Sequence, residues 1–160
     1  MPISPRRPKG PFPDPAFPQQ VAEAVMPPFQ DCLSGEITAD AYGRPLGVAR
    51  FAGRVADVVL SLGQCGRQDD ASNLYAEADV FINGVTCIST KPKVEAYSGE
   101  ASTSKSSIDG ADSGTTEAVL ATADSFSPGD HISWSLEITR DGSPTTEISN
   151  PCVMVELMPD

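Results

Sequence analysis

Nine of the fifteen prolines in this 160-residue chain fall within its first thirty positions. Proline fixes φ and lacks a backbone N–H. A segment with one at every second or third position therefore forms neither a helix nor a central strand. The stretch MPISPRRPKGPFPDPAFPQQ, residues 1–20, reads as an extended polyproline-type arm. At about 3.1 Å per residue such an arm reaches roughly 50 Å. It carries Arg6, Arg7 and Lys9 against one acid, Asp14. A pre-extended backbone loses less entropy on docking. Phe12 and Phe17 then read as hydrophobic anchors, and Arg6, Arg7 and Lys9 as partners for carboxylates.

Val21, Ala22 and Val25 follow at helical spacing, until Pro27 and Pro28 end the pattern. This predicts at most two turns of helix over residues 19–26, stable only when docked. Residues 29–47 mix Cys32, Leu33, Ile37 and Tyr42 with glycines and Pro45, and read as short extended pieces and turns. The expected organisation is an arm over 1–20, a short helix and linker over 21–47, and a folded domain over 48–160.

From Val48 onward the pattern is that of strands. Ala56, Val58, Leu60 and Leu62 alternate onto one face, as do Leu74, Ala76, Ala78, Val80 and Ile82. Asn83-Gly84 supplies the two positive-φ residues of a tight hairpin, with VTCIST returning as the partner strand. Residues 98–115 are polar, small and glycine-rich, and read as a long exposed loop. Ile132, Trp134, Leu136 and Ile138 share a further apolar face, opposite His131, Ser133, Ser135 and Glu137. Val153, Val155 and Leu157 face inward from an apolar C-terminal strand that belongs at or near a sheet centre. Seven to nine short amphipathic strands with no long helix predict two antiparallel sheets packed face to face. The long connections favour a jelly-roll-like β-sandwich over a meander.

Net charge is −11. The first twenty residues hold three bases and one acid, or +2, which leaves −13 for the rest. A body this acidic repels phosphate backbones, so nucleic acid is not an expected partner. No signal-peptide core and no run of eighteen apolar residues occurs, so neither secretion nor a membrane is expected.

Little in the chain points to catalysis, and the expectation is that it is not an enzyme. The motifs GxSxG and HExxH and a glycine-rich phosphate loop are missing. The only histidine, His131, follows Asp130 at a strand start and reads as a surface side chain. Asp69, Asp70, Asp109, Asp112 and Glu117 offer oxygens to calcium but lack the alternating EF-hand pattern. Cys32, Cys65, Cys87 and Cys152 lack paired zinc spacing. Cys87 and Cys152 read as buried free thiols, with one disulfide among the four as the other reading. No metal or cofactor is expected. Glycan binding needs exposed aromatic platforms. Trp134 reads as core, which leaves Tyr42, Tyr75 and Tyr97.

Three segments in order, VVLSLG, EADVFINGVTCISTKPKVEA and ADSFSPGDHISWSLEI, resemble a β-sandwich domain recurring in structural proteins of tailed bacteriophages. The resemblance rests on Asn83-Gly84, on Thr90-Lys91-Pro92 and on residues 126–132, and covers about 48–158. The cysteines and the arm are outside it. It implies a capsid decoration or cement protein, a head spike or a fibre-associated protein. The expected setting is a virion assembled in a host cytoplasm. Expected partners are the major capsid protein or other virion subunits, with the protein in several copies, such as a trimer. The alternative expectation is a receptor- or glycan-binding module of a spike or tail fibre.

Overall fold

The computed structural model describes residues 28–70, 72–108 and 112–160. The arm and the helix expected over 19–26 lie outside them. Every regular element among the described residues is a strand. They are β1 (Phe29–Cys32), β2 (Ala41–Val48), β3 (Gly53–Gln64), β4 (Leu74–Ile82), β5 (Val85–Thr86), β6 (Ile88–Thr90) and β7 (Lys93–Glu95). There follow β8 (Lys105–Ser106), β9 (Thr115–Thr116), β10 (Val119–Leu120), β11 (Ser125–Phe126), β12 (His131–Arg140) and β13 (Ser149–Pro159).

These strands build an antiparallel β-sandwich. One sheet runs β1-β13-β3-β11, with β8 also on β3. The other runs β2-β12-β4-β7-β9, with β5 also on β4, and β6 and β10 form a small ribbon. The chain crosses the core between β1 and β2, β2 and β3, β3 and β4, and β12 and β13, which gives the jelly-roll-like alternation. Val58, Leu60, Val153 and Val155 from the first sheet meet Ala76, Ala78, Val80, Trp134 and Leu136 from the second in one core. Burying such side chains contributes roughly 25 cal/mol per Å² of apolar surface, an upper estimate because unfolded chains are partly collapsed. β13 lies between β1 and β3, the central position expected of the C-terminal strand.

The sandwich begins at Phe29 rather than at residue 48. Each of β1 and β2 is an edge strand, one per sheet. Edge strands pair on one side only, so a polar, glycine-containing sequence suffices. Pro45 is tolerated in β2 for the same reason.

The expected faces of β4 and β12 are as observed. In β3 the face shifts. Glu156 pairs with Asp57 but Leu157 pairs with Val55, so Ala56 is an extra residue in the ladder. This bulge reverses the alternation, and Val55 takes the inward place expected of Ala56. Asn83 and Gly84 have φ of 50° and 82°, as a type I′ hairpin requires. The return strand pairs with β4 only over Val85 and Thr86. The chain then leaves β4 for the β6–β10 ribbon and rejoins it at β7.

The entry into the sandwich is fastened by side chains. Asp31 of β1 accepts hydrogen bonds from Arg44 Nε at 2.7 Å and from the indole N–H of buried Trp134 at 2.9 Å. A four-residue edge strand of one sheet is thereby tied to β2 and β12 of the other. The Arg44 hydrogen bond is the main reason that the Asp31 carboxyl titrates below its usual range, against the opposing effect of partial burial. Phe29 lies against Gly47, where an added Cβ would come within 3.0 Å of its ring.

Cys152 is not a free thiol: it forms a disulfide with Cys32, its register partner across β1 and β13. The adjacent hydrogen bond, Leu33 N–H to Pro151 carbonyl, marks this as a non-hydrogen-bonded pair, in which facing side chains are closest. The two residues are 120 apart in sequence, so the edge strand's place opposite Cys152 could not be read from spacing. A bond closing so long a loop stabilises by on the order of 4–5 kcal/mol through unfolded-state entropy.

Candidate functional site

The sandwich has two unlike ends. β13 runs towards Asp160, whose N–H bonds the Ala52 carbonyl, and antiparallel β1 starts at that side. The Asn83-Gly84 hairpin and residues 127–130 lie there too. They are joined by the Asn83 amide N–H to Asp130 Oδ1 at 2.8 Å and the His131 N–H to Asn83 Oδ1 at 2.9 Å. At the opposite end the connections β1–β2, β3–β4, β7–β8 and β12–β13 come together. Four loops on one rigid frame are the usual place for recognition.

The loop end is ordered from within. Gly66 has φ of +83°, and a Cβ there would meet Leu74 Cδ2 at 2.6 Å and the Thr146 carbonyl at 3.0 Å. Only glycine fits this approach of two loops. Gln68 is buried, and its amide donates to the Asp141 carbonyl at 2.9 Å. Its own carbonyl accepts the Gly99 N–H at 2.7 Å. One side chain and its backbone thus join the β3–β4, β7–β8 and β12–β13 connections. Asp69 accepts from Thr145 Oγ1 at 2.5 Å and from Arg67 Nε at 2.8 Å, and both bonds lower its pKa. Asn73 donates to Asp141 Oδ2 at 2.8 Å.

Lys105 organises the second half of this end. Its side chain is fully buried, an uncommon place for an ammonium. Nζ donates to Glu100 Oε1 at 2.8 Å and to the Glu95 carbonyl at 3.1 Å, and lies 5.8 Å from the Tyr97 ring centroid. Glu100 Oε2 accepts the Tyr97 N–H at 2.9 Å, which closes a turn. Burial pushes the Glu100 carboxyl up, but the Lys105 bond and the Tyr97 N–H outweigh it, and the net shift is downward. Residues 98–108 are therefore pinned to the body at Lys105 and Ser107, while most of the segment is exposed, as expected of its composition. Ser107 is buried, and its Oγ accepts the Leu60 N–H.

The candidate residues from the sequence are distributed as follows. Arg6, Arg7, Lys9, Phe12 and Phe17 lie outside the described residues. Trp134 is core. Tyr42 is 67% exposed and donates to Asp40 at 2.6 Å. Tyr75 pairs with Glu95 across β4 and β7, and Tyr97, 45% exposed, lies just past the end of β7. A Lys93–Glu95 ion pair of 2.9 Å lies beside Tyr75, with Lys93 Nζ 5.0 Å from the Tyr75 ring. His131 is exposed. Asp69 and Asp70 are engaged by Thr145, Arg67 and Ser72, and Asp109 is outside the described residues. Among the described residues no group of three or more His, Cys, Asp or Glu is placed to hold a metal ion. No described helix is long and apolar enough to cross a membrane.

Gln68 and Lys105 have no signal in the sequence, since each stands in a polar segment where a solvated side chain is the rule. The loop end they build carries Glu36, Asp40, Asp69, Asp70 and Asp141, with Arg67 and Arg140 as nearby bases. Fold and site together define a class: an antiparallel β-sandwich with a fastened entry strand and an internally braced loop end. Comparison with protein-family models, with curated proteins and with solved structures returns no match.

Proposed function

We propose that the chain is a non-enzymatic virion structural protein that decorates or cements a phage capsid. Its N-terminal arm fastens it, and its loop end faces outward. The observation that carries this reading is the polarity of the sandwich: the chain enters from the side that holds Asp160, opposite the four braced loops. An arm of charge +2 on a body of charge −13 suits a tether that docks by itself while the body stays clear. Contact area added between neighbouring capsid subunits would resist internal pressure.

The test is deletion of residues 2–20. The truncated protein folds, with unchanged circular dichroism, and is lost from purified particles. Normal incorporation of the truncated protein refutes the proposal.

A receptor- or glycan-binding role is the second reading. Exposed Tyr97 beside the Lys105–Glu100 pair favours it, because aromatic faces beside charged groups are what saccharides stack on. A glycan array with the full chain and with Tyr97→Ala distinguishes the two. Sugar binding that Tyr97→Ala abolishes without loss of assembly favours the second.

A further inference from the structure

The four cysteines divide into two kinds. Cys65 and Cys87 are free and fully buried. Cys32 and Cys152 are joined, and Cys32 is exposed on the outward side of its sheet. Their bond crosses from a four-residue edge strand to the long strand β13. Pro27 and Pro28 precede β1 and have no N–H to lengthen its ladder. The disulfide is thus the covalent part of a short attachment, with Cys32 exposed and Cys152 half-buried.

We propose that Cys32–Cys152 is a thiol-exchange site, a lock on β1 that a dithiol reductant opens and a disulfide oxidant recloses. In the opening step a reductant thiolate attacks Sγ of Cys32, the exposed residue of the pair. The S–S bond breaks, and Cys152 leaves as a thiolate that takes up a proton. The second reductant thiol attacks the mixed disulfide and frees Cys32, and the reductant departs as its own disulfide. Two electrons and two protons pass to the protein. An oxidised glutathione-type disulfide returns the pair by the reverse exchange.

The other two thiols do not divert this chemistry. Burial pushes the Cys87 thiol up to about 12, so it supplies no thiolate near neutrality. Cys65 has no exposed surface to meet a reductant. Opening leaves β1 held by its ladder, by the Phe29–Gly47 contact and by Asp31. Asp31 bonds Trp134, the only tryptophan in the chain, so loosening of β1 is reported by that indole. This inference stands apart from any role in a virion.

The experiment treats the full chain with dithiothreitol under native conditions and traps thiols with a maleimide. The expected result is capture of the two thiols of Cys32 and Cys152, with Cys65 and Cys87 modified only in denaturant. Amide exchange over residues 29–32 should rise by roughly tenfold or more, as for a local opening. Trp134 should become more quenchable by acrylamide, with far-UV circular dichroism unchanged. Cys32→Ser/Cys152→Ser should show the same exchange and quenching without reductant, and no response to it. Failure to trap the pair in the folded state overturns the proposal. So does trapping with unchanged exchange at β1. Loss of the far-UV signal on reduction also overturns it, because the bond would then hold the whole domain rather than β1.

Discussion

Replacing Lys105 by methionine tests the account of the loop end. Methionine keeps most of the volume and removes the ammonium. Three contacts are lost: the Glu100 carboxylate at 2.8 Å, the Glu95 carbonyl at 3.1 Å and the Tyr97 ring. Breaking a buried pair by removing one partner costs about 3–5 kcal/mol when the remaining charge has no outlet. Here the Glu100 side chain keeps 25% of its surface in water and still accepts the Tyr97 N–H. The expected loss is therefore smaller, about 2–3 kcal/mol. With an unfolding entropy near 2.1 cal/mol/K per residue over roughly 130 residues, this lowers Tm by about 7–11 °C. Calorimetry and urea unfolding measure it. The double variant Lys105→Met/Glu100→Gln removes the stranded charge and should recover at least half of the loss. A single-variant loss below about 0.5 kcal/mol, within the range of an ordinary surface change, refutes the reasoning. A double variant no better than the single refutes it too.

Asp31→Asn should cost about 1 kcal/mol at neutral pH, since its Arg44 partner is partly exposed. The folded pKa of Asp31 is depressed, so its contribution is present above about pH 4 and is lost as pH falls through the folded value. The stability gap between wild type and Asp31→Asn should therefore close in acid. A gap that widens in acid contradicts the assignment. Gly66→Ala combines a positive φ with a clash against Leu74 and the Thr146 carbonyl. It should destabilise by about 2–3 kcal/mol in chemical denaturation, whereas Gly129→Ala, with positive φ but open space, should cost about 1 kcal/mol. Equal losses at the two positions would show that the close packing at Gly66 is unimportant.

The fold was legible in the chain where one face of a strand is apolar and the other polar. Leu74 to Ile82 and Ile132 to Ile138 show this, because burial on one side enforces a period of two. Asn83-Gly84 was legible because few residues tolerate successive positive φ. The bulge at Ala56 was not, since Val55 and Ala56 are both apolar and only the register of β13 decides which turns inward. Residues 29–47 were legible as short extended pieces but not as edge strands of the sandwich, because their pairing depends on long-range partners: Cys152 and the β13 backbone for β1, and the β12 backbone for β2. The candidate site was less legible. Gln68 and Lys105 matter through burial, and burial is a property of the assembled loops. The arm residues, by contrast, stand out in the sequence alone.

The central proposal is a virion role in which the side where the chain enters the sandwich lies against the particle and the loop end faces outward. The most direct measurement is epitope accessibility on intact phage particles carrying the protein. One short tag is inserted after Ser143 in the β12–β13 loop, and another is appended at Asp160. The account predicts that antibody binds the Ser143 tag on assembled particles and that the Asp160 tag is shielded until they are disrupted. An accessible Asp160 tag with a shielded Ser143 tag contradicts it.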